Sequence, residues 1–261
     1  MRSYRVLFVF ALLLCFAGSA LAHELVAKPS TFEAAKGEKV AIEIHSGHKF
    51  IVPEEMEDVS RTKAGIFKDG KLIESKLTGN ESELRIDTEV VIEDADGSTI
   101  VLVNKDGGVW SITNQGGKSG TRSELEKEGL KVRSAVKNDK YVKIIMNASK
   151  DDKNFGTVTG QMLEIVPVTN PADAKVGEFF EVRVLVNGKP YSGGILATYD
   201  GFVTEYEETY AYSTICNNGA AFIKITAPGL WGVRAIQTGL PGVEGEYDSL
   251  TAKSFLIFNV K

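Results

Sequence analysis

His23, His45 and His48 are the only histidines of the chain, and all three fall within residues 23–48. Neutral imidazole nitrogens suit nickel, cobalt, copper and zinc, and the intrinsic affinity order places copper highest. His23 directly follows Ser19-Ala20-Leu21-Ala22, whose small-x-small ending is a signal-peptidase pattern. Cleavage after Ala22 would make His23 the first residue, so that its α-amine and its ring could close one chelate on a metal ion. The second element is His45-Ser46-Gly47-His48. On an uninterrupted strand, residues three apart point to opposite faces. Both rings can face one space only if Ser46-Gly47 makes a turn or bulge. The expected site is therefore a metal centre of His23, His45 and His48, with Glu24 or Glu43 as possible assistants.

The residues before His23 read as an export signal. Arg2 and Arg5 form a basic start, and Val6 to Phe16 is apolar but too short to span a bilayer. Residues 1–22 are accordingly expected to be removed, leaving 239 of 261 residues. Since that segment carries two arginines and no acid, the net charge moves from −5 to −7. An acidic protein is a poor partner for nucleic acid. No later apolar run approaches the ~20 residues of a membrane helix, so the expected location of the mature chain is the periplasm, without membrane insertion. Cys15 leaves with the signal, and Cys216 lies in the strand-like run Tyr212-Ser213-Thr214-Ile215, where a buried thiol is expected.

These residues must be positioned by β-structure. Lys39 to Ile44 alternates charged and apolar residues, as a strand with one buried face does. Ser98 to Val103 and Val109 to Thr113 read as a hairpin around Asn104–Gly108, and Glu124 to Lys143 as the one helical stretch, interrupted by Gly129. Phe179 to Val186, a tight Asn187-Gly188 turn and Gly194 to Tyr199 read as a second hairpin. Phe222 to Ile225, Gly232 to Gln237 and Ser254 to Val260 add three strands. The expected fold is all-β, with two β-sandwich domains in tandem: residues 23–168 with a short helix, and residues 169–261, immunoglobulin-like or prealbumin-like. Pro167, Asn170 and Pro171 mark the boundary.

Glu54-Glu55-Met56-Glu57-Asp58 follows His48 closely and could bring Met56 or a carboxylate to a metal, although a solvated charged loop is the better reading; Glu205-Tyr206-Glu207-Glu208 and Glu244 to Asp248 read as surface too. Gly116-Gly117-Lys118-Ser119-Gly120 lacks the spacing of a phosphate loop and reads as a flexible loop, and no G-x-S-x-G or H-E-x-x-H motif occurs. An enzyme is not expected.

Several short motifs occur in a familiar order: Ala22-His23-Glu24, Lys28-Pro29-Ser30, Gly47-His48-Lys49-Phe50, Leu163 to Pro167, Asn170-Pro171, Val184 to Pro190, Pro228-Gly229-Leu230-Trp231 and Leu250-Thr251-Ala252. In these the chain resembles an exported domain-of-unknown-function family, described as NikM-like or NikK-like periplasmic components associated with cobalt/nickel uptake transporters. Lys49 departs from it, standing where the motif often has proline. The resemblance implies a periplasmic β-sandwich protein associated with an ABC metal-uptake transporter in the membrane, and it places His23 and His48 at motif positions; His45 is added from proximity. The leading expectation is thus a protein that binds a divalent transition metal, nickel or cobalt ahead of copper or zinc. A non-catalytic envelope interaction module and an N-terminal-histidine copper protein are the alternatives.

Overall fold

Ile100-Val101-Leu102-Val103, Ile144-Ile145-Met146 and Phe255 to Phe258 are runs in which every residue is buried. A strand whose consecutive side chains are all buried must be covered on both faces, so these runs belong at the centre of the molecule. The computed structural model, which describes residues 23–93, 97–203 and 209–261, places them there. The expected signal peptide and Glu205-Tyr206-Glu207-Glu208 lie outside the described residues.

The described residues are all-β with one short α-helix. The first part of the chain supplies β1 (Glu24–Pro29), β2 (Lys39–Gly47), β3 (Thr62–Lys68), β4 (Lys71–Glu74), β5 (Thr78–Asn80), β6 (Arg85–Val91), β7 (Thr99–Thr113), β8 (Gly116–Ser119), helix α1 (Arg122–Lys127) and β9 (Val132–Met146). The second supplies β10 (Leu163–Pro167), β11 (Phe179–Val186), β12 (Lys189–Pro190), β13 (Gly193–Tyr199), β14 (Tyr212–Cys216), β15 (Ala220–Lys224), β16 (Gly229–Val243) and β17 (Tyr247–Val260). A central sheet runs β14-β13-β16-β17-β9-β7-β3-β4, with β8 on β7. The sheet β1-β2-β6-β5 covers one face, over Val101, Val103, Val142, Ile144, Phe255 and Ile257. The sheet of β10, β11, β12 and β15 covers the other, over Ile100, Leu102, Ile145, Leu256 and Phe258.

The two sandwiches therefore share their middle layer. β17 pairs with β9 in parallel, from Ser249↔Val136 to Ile257↔Ile144, which joins the end of the chain to its first half. The expected boundary near residue 168 falls in the connection from β10 to β11, two strands that pair with each other.

Three local expectations are corrected. Asn104–Gly108 does not reverse the chain: β7 continues through it, with a register shift between Asp106 and Val109 against β9. Gly108 takes φ +73°, and a Cβ on Gly107 would lie 1.5 Å from the carbonyl oxygen of Asn138, so these glycines make a bulge rather than a turn. The helix stops at Lys127, Gly129 following with φ +84°, and the residues expected to continue it form β9, whose β-branched residues pack between layers. Gly116–Ser119 is not a loop but a short strand on β7. Asn187 and Gly188 do form the left-handed pair of a type I′ turn, at φ 49° and 73°; only Lys189 and Pro190 return along β11 before β13 crosses to the central sheet. Cys216 is buried, as expected, and burial pushes its thiol up.

Lys143 and Glu164 form an ion pair at 1% exposure each between β9 and β10, and Glu164 also accepts from the Thr159 and Gly160 amides at 2.6 and 3.0 Å. Removing one member of such a pair leaves a buried charge, so Glu164→Gln is expected to cost about 3–5 kcal/mol in urea unfolding. A loss under about 1 kcal/mol would mean that the pair does not hold the layers together.

Candidate metal centre

His23 opens the described chain immediately before β1, and His48 follows the end of β2. After Gly47 the chain doubles back: Glu54 and Glu55 both donate their amides to the Ser46 carbonyl, at 2.8 and 3.1 Å. Gly47 permits this because a Cβ there would lie 2.4 Å from the Val52 carbonyl oxygen. Phe50, inside the turn, packs over Gly232 and against the Phe255 ring. The return leg delivers a carboxylate as well as a histidine to the start of β1.

Donor atoms of His23, His48 and Glu54 all lie within 4.8 Å of one another. His48 Nδ1 donates to Glu54 Oε2 at 2.7 Å, His23 Nε2 is 3.7 Å from the same oxygen, and the two rings meet edge to face at 4.4 Å. Each side chain is about a quarter exposed. Burial acts to raise the Glu54 carboxyl, but the hydrogen bonds and charge of His48, with the charge of His23, outweigh it and hold the group below its usual value. An ionised carboxylate and two imidazoles form a donor set that transition metals accept. Donors on tetrahedral bonds of ~2.0–2.1 Å stand roughly 3.4 Å apart, so taking up an ion would replace the His48–Glu54 hydrogen bond and open that pair while drawing His23 closer to Glu54.

The neighbours of these three residues in the chain hold them in place. Glu24, next to His23, accepts from Lys253 Nζ at 2.9 Å and from Arg234. Glu57, three residues after Glu54, pairs with Lys140 and with Lys105 at 3.6 Å, and accepts from Ser46 Oγ at 2.9 Å. Lys105, Lys140 and Lys253 are directly registered across β7, β9 and β17. A row of lysines on the central sheet thus fixes both the strand start that carries His23 and the loop that carries Glu54.

The family model described as "Domain of unknown function (DUF4198)" matches residues 20–239. The chain belongs to this family. The match takes in His23, His48, Glu54 and the anchors Glu24, Glu57, Lys105, Lys140 and Arg234. No curated protein matches the chain.

In this DUF4198 chain His45 stands apart from the cluster. It is 4% exposed, its Nδ1 donates to the Ile51 carbonyl at 2.9 Å, and its Nε2 faces Glu43 Oε2 at 3.3 Å. Burial lowers its pKa despite both contacts, which favours the neutral ring. Strand alternation explains the separation: His45 is still within β2, whereas His48 lies past the strand's end, at the entry to the turn. Of the expected assistants, Glu24 is committed to Arg234 and Lys253, and Glu43 to Arg85 and His45. The residue that the expected site left out is Glu54, which the sequence offers only as one carboxylate of the run after His48. Its only signal was its position six residues after His48 in an acidic run, and most such runs are solvated. Glu55 is drawn in too, its Oε2 lying 2.6 Å from His23 Nδ1, while Met56 packs into the core beneath Gly79.

Glu57→Gln tests the anchoring. Burial raises Glu57, but Lys140, Ser46 and Lys105 together bring it below its usual value. A depressed carboxylate stabilises fully above its unfolded pKa of about 4.3 and loses that contribution as pH falls through the folded value. Glu57→Gln is therefore expected to cost about 2–4 kcal/mol at pH 7, with the difference from the parent protein shrinking below pH 4. Urea unfolding across this range checks it; a constant difference at every pH would exclude the carboxylate charge as the anchor.

Proposed function

We propose that this protein is a periplasmic binder of a divalent transition metal, taken as cargo and passed to a membrane uptake system. The observation that carries the reading is the convergence of His23, His48 and Glu54. Nickel or cobalt as the cargo, and the ABC transporter as the recipient, rest on the resemblance to the transporter-associated proteins described above.

Within this reading, the α-amine exposed by cleavage after Ala22 is a further donor. A six-membered chelate with that amine closes through Nδ1 of His23, and Nδ1 is the nitrogen that faces Glu55. Metal capture through the amine therefore requires the ring to leave Glu55, whereas capture through Nε2 toward Glu54 does not.

Calorimetry with nickel chloride on the mature protein is expected to give about one equivalent bound. His48→Ala and Glu54→Ala are each expected to weaken binding by at least about tenfold, whereas His45→Gln lowers the melting temperature and leaves the stoichiometry unchanged. Affinity should fall as the pH drops, because a ligand nitrogen must be free of its proton to bind the metal. Unchanged affinity in both His48→Ala and Glu54→Ala would defeat the proposal. One extra residue before His23 separates the two modes: a loss of about tenfold or more assigns the amine, and an unchanged affinity assigns Nε2. Mass spectrometry of the exported protein, reading its first residue and its bound metal, tests the processing and the cargo together.

A further inference from the structure

Trp110 stands 45% exposed on the central sheet, whereas Trp231, the other tryptophan of the chain, is fully buried. Its indole occupies the space left by Gly117 on β8, where a Cβ would lie 2.5 Å from Cζ2 of the ring. So seated, the ring forms part of the wall of a cavity of about 540 Å³. That volume is typical of a small-molecule site. Asn138, Thr251 and Thr238 share the wall with it. Asn138 pairs with Thr251 across β9 and β17, and Trp110 pairs with Val136, two residues before Asn138, so these side chains rise from one face of the sheet. The Asn138 amide and the Thr251 and Thr238 hydroxyls make no hydrogen bond among the described residues. The rest of the wall holds charges of both signs, Glu55 and Glu57 with Lys140, Lys253 and Arg234, and Glu57 is already paired with Lys140. Such a wall suits a neutral guest rich in hydroxyls better than an ion of either sign. The strands beneath are paired on both sides here, β7 with β8 and β9, and β9 with β7 and β17, so an extended peptide finds no open edge.

We infer that this cavity binds a neutral saccharide, with one pyranose ring against Trp110 and its hydroxyls on Asn138, Thr251 and Thr238. A pyranose carries C–H groups on its faces and hydroxyls around its rim. The electron-rich face of an indole attracts the C–H groups, and Ile236 extends the apolar contact. An amide and two hydroxyls offer both donors and acceptors to the rim, as a sugar hydroxyl requires. The inference goes beyond the metal reading and does not depend on it, since it uses none of the three residues of that cluster.

Cellobiose, maltose and N,N′-diacetylchitobiose are the probes. Because Trp231 is buried, acrylamide quenching of the tryptophan emission reads Trp110. At least one of the three is expected to bind saturably below about 10 mM and to protect that emission. In calorimetry, Trp110→Ala is expected to weaken binding by at least about tenfold and Trp110→Phe by less. Asn138→Ala and Thr251→Ala, which remove only groups without a bond inside the protein, are each expected to weaken it by about threefold or more; they decide the matter should Trp110→Ala fail to fold. Nickel chloride is expected to bind all four variants within about threefold of the parent. No binding of any of the three disaccharides, or an affinity unchanged in Trp110→Ala or in both polar variants, would overturn the inference. A protein that takes up a disaccharide but no nickel upholds it and loses the metal reading; one that takes up nickel alone does the reverse.

Discussion

Everything near the His23–His48–Glu54 cluster depends on two carboxylates meeting a row of buried cations. Glu24 is held by Arg234 and Lys253, and Glu57 by Lys140 and Lys105. Neither carboxylate belongs to the cluster, but each is covalently close to a residue that does. The energetic logic is that of buried charge: removing either side strands the other in low dielectric, so the arrangement is held at its charged ends as well as by packing. Because the cations stand on β7, β9, β16 and β17, the positions of His23 and Glu54 are set by the most extensively paired strands of the molecule. A site on a strand start and a loop thereby gains a rigid base, which loops do not provide by themselves.

The shared central sheet makes that base possible. Covering a sheet on both faces demands continuous apolar strands, and β7, β9 and β17 supply them over most of their length. The covering sheet of β1, β2, β6 and β5 packs over the apolar part, and the face turns polar at the lysine row. The row is thus neither core nor free surface, being roofed by the start of β1 and by the loop that follows β2. The parallel pairing of β17 with β9 places Lys253 opposite Lys140, so the cation row itself exists only because the last strand joins the first sandwich.

The legible parts of the sequence were those that local chemistry decides. β2, β11, the Asn187-Gly188 turn and the burial of Cys216 follow from alternation, from left-handed backbone at Asn-Gly, and from an apolar strand context. The illegible parts were those in which one local signal serves two outcomes. Paired glycines at residues 107 and 108 suit a turn or a bulge equally, and only the partner strand β9 decides between them. Residues 132–143 contain helix-compatible lysines, yet pairing with β7 and the burial of Val142 between layers make them a strand. Glu54 is the sharpest instance. Nothing local distinguishes it from Glu55 or Asp58, because its place at His48 is created by the return of the chain over Gly47 and by the docking of Glu57 on lysines about fifty and eighty residues away. His45 shows the converse, since proximity along the chain brought it into the expected site while strand alternation turned its ring toward Ile51 and Glu43.

The same alternation explains why a neutral histidine is useful at position 45. Its Nδ1–H holds the Ile51 carbonyl, and Ile51 takes the left-handed backbone, at φ 55°, that bends the chain between His48 and Glu54. A β-branched residue at positive φ is strained, so the bend needs an external hold, and the buried imidazole supplies one. Protonating His45 would leave Nδ1–H in place but add a buried charge that burial disfavours. Its lowered pKa keeps the ring neutral in the folded state, so the fold gives up stability as the pH drops below the unfolded histidine value of about 6.5. The three histidines thus divide the work by burial: His23 and His48, a quarter exposed, are accessible to an ion, while His45, enclosed, fixes the bend that brings His48 to Glu54.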